Sequence, residues 1–138
     1  MIPPDLLWHS QLVIAAAMTG IIWQVQLLTY PQFFNVSSES FPAYHQSHTL
    51  RMGIIVGPPM VVELLLALLT AWQLRSGVSI VALGLVIALW VTTALIHVPL
   101  HNHLARGYDR PAIRKLITTN WLRTIFWSAR TILLFSFA

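Results

Sequence analysis

Four apolar runs, at residues 6–30, 52–74, 78–100 and 116–137, are each long enough to cross a bilayer, and that leaves this chain few ways to fold. A hydrocarbon core about 30 Å thick takes roughly 20 residues of helix. Lipid offers the backbone no hydrogen-bonding partner, so such runs fold as helices that satisfy their own N–H and C=O groups. The expectation is an all-α integral membrane four-helix bundle, a single domain over residues 1–138, with an amphipathic entry segment before helix 2. Charged residues make up 9% of the chain, against about 25% in a soluble domain. A net charge of +4 would suggest nucleic acid in a soluble protein; here topology and internal pairing explain the basic residues, and no nucleic-acid partner is expected. The chain has no cysteine, so a metal would rest on histidine and carboxylate.

The N-terminus lacks the basic stretch of a secretory signal, and the first run reads as a retained helix. Between the first two runs, Ser37-Ser38-Glu39 reads as a helix start and residues 41–51 as the amphipathic entry, carrying His45 and His48. Asp109 is placed to cap the last helix, with Pro111 in its first turn. Arg106, Arg110, Arg114 and Lys115 cluster between the third and fourth runs, whereas the opposite side offers only Arg75. That asymmetry puts the loops after helices one and three on the cytoplasmic side of an inner membrane, with both termini outside.

Polar residues inside the runs carry the functional signal. Asn120, Arg123, Trp127 and Arg130 fall at i, i+3, i+7 and i+10, one face of a helix. A charged group in lipid is costly, so these arginines must face a protein interior, a wet cavity or an anion. Helix one carries a similar stripe, Thr19, Trp23, Gln26 and Tyr30; helix three carries Trp90, Ala94, His97 and His101. In helix two His45 and Glu63 are five turns apart and share a face if Pro58-Pro59 does not bend it. Counted from the helix ends at about 1.5 Å per residue, Glu63 lies between Arg123 and Arg130 in depth, and an ion pair with either offsets its burial. Tyr30, His45, His48, His97, His101 and Asn120 all gather toward one end.

His97 and His101, one turn apart, together with His45 and His48, form a candidate metal set for copper, iron or zinc. Haem ranks below these because its macrocycle is large for four short helices. A site without any cofactor is also compatible. The alternative for these histidines is hydrogen bonding to loops and headgroups. Tyr30, His45, Asn120 and Arg123 are the catalytic candidates, with Arg123 and Asn120 able to donate to a developing oxyanion and Tyr30 and His97 as acid–base groups. Trp23, Trp90 and Trp127 could wall a planar ligand, and Gln26, Glu63 and Arg130 would support the site from behind.

The run Tyr30-Pro31-Gln32-Phe33, then Phe41-Pro42-Ala43-Tyr44-His45 with His48 and Arg51, then Pro58 and Glu63, and finally Asn120-Trp121-Leu122-Arg123-Thr124 resembles a set of small bacterial four-helix membrane proteins of unassigned function. These are distantly similar to the anthrone-oxygenase-like membrane family. The resemblance implies a compact four-helix membrane fold. It also implies, by the fungal anthrone oxygenases, oxygen insertion into an aromatic polyketide without a defined cofactor, with His45 the nearest match to an inner-helix histidine of that family. The extra histidines and the Asn-Trp-Leu-Arg-Thr helix depart from that pattern. The leading expectation is a membrane-embedded oxidoreductase or oxygenase-like protein with a metal-binding, His-rich site near the cytoplasmic end, acting on a small aromatic or quinone-like molecule. The rival is a non-catalytic membrane subunit or a small-ligand or haem-binding protein whose polar interior is structural, in either case as a monomer or an oligomer.

Overall fold

The computed structural model describes residues 2–137, and within them the chain forms four helices and no strand. Helix α1 runs Pro4–Asn35, α2 Phe41–Leu74, α3 Gly77–Leu104 and α4 Arg110–Phe135. Local chemistry sets these limits. Prolines occupy the first turns of α1, α2 and α4, where a missing N–H costs nothing. Ser76 and Ser79 close a reciprocal capping box at the start of α3. Asp109 accepts from the Ala112 N–H at 3.2 Å and caps α4. Arg75 ends α2 in a left-handed conformation, φ 49°.

Two expected boundaries move. Ser37-Ser38-Glu39 does not start a helix: Ser37 accepts from the Ser40 and Phe41 N–H groups and forms a turn, and α2 begins at Phe41. The entry segment and second span are therefore one 34-residue helix, with Pro58 and Pro59 inside it. At 1.5 Å per residue such a helix is about 50 Å long, well beyond a hydrocarbon core of about 30 Å. Its first turns, with His45 and His48, extend toward the bilayer surface.

Each helix packs on its neighbour in sequence, and α1 packs on α4, closing a four-membered ring. The exterior is apolar: Leu27, Ile54, Leu65, Ile80, Leu95 and Ile132 are all more than half exposed. The polar side chains are inside, including Gln11, Gln26, His45, Glu63, His97, Asn120, Arg123 and Arg130. This inversion of the soluble pattern suits a lipid solvent. Three helices, α1 to α3, are long and apolar enough to cross a membrane, and they mark a membrane protein. Arg123 and Arg130 keep α4 short of that apolarity, and both are buried against the other three helices.

Helices α1 and α3, on opposite corners of the ring, share an irregularity. Each contains one π turn, Val25–Thr29 and Thr93–His97, closed by Tyr30 N–H to Val25 O and Val98 N–H to Thr93 O. Each turn is followed by a proline at the second residue beyond it, Pro31 or Pro99. A proline ring inside a helix clashes with the carbonyl four residues back, and a widened turn relieves the clash. The extra residue rotates everything beyond it by about 100°.

Candidate functional site

That rotation builds the site. Before the π turn of α1, Thr19 and Trp23 face α4, bonded to Thr131 at 2.8 Å and Ser128 at 3.1 Å. Gln26, within the turn, still reaches α4, accepting from Asn120 Nδ2 at 2.9 Å and donating to the Ile117 carbonyl at 3.1 Å. Tyr30, beyond it, turns across the bundle, and its hydroxyl lies 3.0 Å from His101 Nε2. The expected straight stripe of helix one is thus split in two. Helix three divides likewise: Trp90 packs in the apolar core, while His97 and His101 reach the interior cavity.

The cavity has a volume of about 350 Å³ and lies among α1, α2 and α3 with Arg123 and Trp127 of α4 at its inner wall. One end is polar, with Tyr30, His45, His48, His97, His101 and Arg123; the rest is apolar, chiefly Met18, Ile22, Val25, Met52 and Met60. At the polar end Tyr30, His101 and His45 form a hydrogen-bonded chain. His101 uses Nε2 toward Tyr30 and Nδ1 toward His45 Nε2, the latter also at 3.0 Å. Phe41 stacks on His45 with ring centroids 5.6 Å apart, and Phe33 meets His48 edge-on at 5.0 Å. His97 is held by the irregular turn itself, Nδ1 against the Thr92 carbonyl at 3.1 Å. His97 Nε2 and His45 Nδ1 are buried with no partner among the described residues.

Arg123 is 7% exposed and lies over the Trp127 ring, 5.1 Å from its centroid. Its hydrogen bond to Asn120 Oδ1 is long, 3.5 Å, and among the described residues its Nε has no partner. Among the described residues no carboxylate pairs with it. Arg130, two turns deeper, is the opposite case. It donates to Glu63 Oε1 at 2.7 Å and to Gln11 Oε1 at 2.8 Å. Trp127 donates to the other Glu63 oxygen at 2.9 Å, and Gln11 in turn donates to Thr70 at 2.8 Å. Glu63 therefore belongs to Arg130, and the two arginines have separate roles.

Of the three tryptophans expected to wall a ligand, only Trp127 lines the cavity. Trp23 is 40% exposed and meets Trp121 edge-on, outside the cavity. The four histidines do come together, but among the described residues no group of three His, Asp or Glu is arranged to hold a metal. His101 has both nitrogens engaged by Tyr30 and His45. A haem between His45 and His101 does not fit either, because axial imidazoles need iron between them and these nitrogens touch at 3.0 Å. His9 and His103 stand apart from the site, His9 on the Asp5 carbonyl and His103 on Asp109 at 2.6 Å. That contact and the Ala112 N–H hold the Asp109 carboxyl below its ordinary value of 3.8. Gly53, Gly57 and the methionines of the lining escaped the sequence reading. Small residues one turn apart in a bulky apolar helix were the available signal for the glycines.

A chain of tyrosine and two imidazoles can pass a proton along itself, since each ring binds at one nitrogen and releases at the other. An arginine beside it can hold an oxygen that carries or develops negative charge. Comparison with protein-family models, with curated proteins and with solved structures yields no match.

Proposed function

We propose that the cavity binds a small lipid-soluble molecule with a phenolic, enolic or quinone oxygen and transfers a proton at that oxygen, as an oxidoreductase or oxygenase-like membrane protein requires. The observation that carries this reading is Arg123: a cation 7% exposed, with no carboxylate partner among the described residues, at the wall of a cavity whose polar end also holds Tyr30 and four histidines. A buried cation of this kind is stabilised by a ligand acceptor. Arg123 holds the oxygen with Asn120, bonded to Gln26, behind it; the Tyr30–His101–His45 chain takes or returns the proton, and Trp127 and the methionines contact the apolar body. An aromatic polyketide, the class oxidised by the fungal enzymes to which the resembling bacterial proteins are distantly similar, is one such molecule; a quinone is another. No step in this scheme passes through a metal.

The test is equilibrium binding of a methyl-substituted benzoquinone and of its quinol to the purified protein in lipid nanodiscs. Arg123→Gln is expected to weaken quinol binding about 10- to 100-fold, the range of one charge-assisted hydrogen bond, with the thermal midpoint close to that of the wild type. Equal affinity in Arg123→Gln would overturn the reading, as would a variant that unfolds early while an untreated protein binds nothing. Metal-depleted protein is expected to bind as well as untreated protein. Binding that a chelator abolishes and one metal restores would transfer the site to a metal reading.

A further inference from the structure

The cavity is not closed. Its opening follows the seam between α2 and α3, past Thr49, Gly53 and Gly57 on one side and Val98, Asn102 and Ala105 on the other. Below the opening α2 packs along Gly77–Thr92, and its contact with α3 thins from the π turn onward. Depth along the seam can be read from the side chains. Arg51 on α2 and Asn102 on α3 are exposed and polar, so they sit where the bilayer surface begins. Gly53 and Gly57 lie about 3 and 9 Å farther in, and Val98 about 6 Å, at 1.5 Å per residue. Gly53 is exposed, Gly57 half-buried, and Val98 is 48% exposed. A Cβ placed on either glycine would meet nothing within 4 Å. His45, His48 and His101 are thus near headgroup level, His97 lies about 8 Å farther in, and the cavity they line opens along the seam toward the hydrocarbon.

We infer that the ligand is an amphiphile: a quinone, quinol or phenol whose ring sits at Arg123 and the histidines, and whose hydrocarbon tail leaves between α2 and α3 at Gly53 and Gly57 to lie among the lipid chains. This rests on the proposed function and names the ligand class of the same site. A tail that stays in lipid avoids transfer into water, so the polar end alone needs to enter the protein. The glycines leave the gap wide; a side chain there would project into it.

The experiment compares a benzoquinone bearing a decyl chain with one bearing a methyl group, in nanodiscs, each corrected for partition into empty nanodiscs. With partition removed, the wild type is expected to hold the two ligands within about threefold of each other, because the tail is in lipid both before and after binding. Gly53→Leu and Gly57→Leu, which fill the exit, should weaken the decyl ligand about tenfold or more relative to the methyl one. Both substitutions replace glycine by a better helix former in open space. Gly20→Leu, at an exposed glycine away from the cavity, should change neither ligand. If methylquinone binds the wild type but the decyl ligand is held at least about tenfold more weakly, or if neither leucine weakens the decyl ligand relative to the methyl one, the inference falls and the site reading stands. If neither quinone binds the wild type, both fall.

Discussion

Arg123 and Arg130 sit on one face of one helix, two turns apart, and differ in what surrounds them. Arg130 has Glu63 and Gln11 as acceptors, with Trp127 completing the carboxylate. Breaking such a buried pair from one side strands a charge and costs about 3–5 kcal/mol. Arg130→Met and Glu63→Gln are each expected to lower the thermal midpoint sharply in detergent, and the double substitution should recover part of the loss. If the double variant is as unstable as the sum of the singles, the pair is not what makes these positions sensitive. Arg123 has no such partner, so its removal should affect binding rather than folding. The sequence showed that Glu63 would pair with an arginine but not which one. Counting depth along ideal helices put it between the two, and the choice is made by Gln11 and Trp127, whose part could not be inferred from spacing.

Register inside the helices explains most of what the sequence hid. Four helices, an interior lined by polar stripes and a histidine-rich end all followed from periodicity, because α4 and most of α2 are regular. The same periodicity failed in α1 and α3, where a π turn ahead of Pro31 and Pro99 turns Tyr30 and His101 toward each other. Those prolines were visible; that the backbone would absorb them by widening was not. Pro99→Ala removes the clash that favours the wide turn. It is expected to raise or preserve thermal stability while weakening quinol binding, as His97 and His101 lose their alignment with Tyr30; unchanged binding would show that the turn persists without its proline. The cap of α4 supplies a pH effect outside the membrane. The carboxyl of Asp109 lies below its ordinary 3.8 in the folded protein, so its contribution is complete above that value and is lost as the pH falls through the lower folded one. Asp109→Asn should flatten the decline in thermal midpoint below about pH 4, a comparison made by melting both proteins across that range.

Whether the bundle crosses the membrane with all four helices turns on α4, which is too polar to be stable in lipid alone. Its arginines are buried against α1, α2 and α3, so its insertion depends on the other three. The two ends of the bundle are distinguished by their contacts. Arg110 lies over Phe34, 5.4 Å from the ring centroid, and Tyr108 meets Phe41 at 5.3 Å, so the loops after α1 and α3 share one end. Gln73 reaches the Ile2 carbonyl at 2.5 Å, placing the N-terminus at the other end with the turn between α2 and α3. The basic cluster from Arg106 to Lys115 belongs to the first end, which the positive-inside rule would expect on the cytoplasmic side. Because the chain has no cysteine, each introduced thiol reports alone. A membrane-impermeant maleimide applied from the cytoplasmic side of sealed vesicles is expected to label Ser38→Cys, while Asp5→Cys and Phe137→Cys should react only from the opposite side. If Phe137→Cys labels together with Ser38→Cys, α4 does not cross, and Arg123 and Arg130 would need a wet surface in place of the buried partners described above.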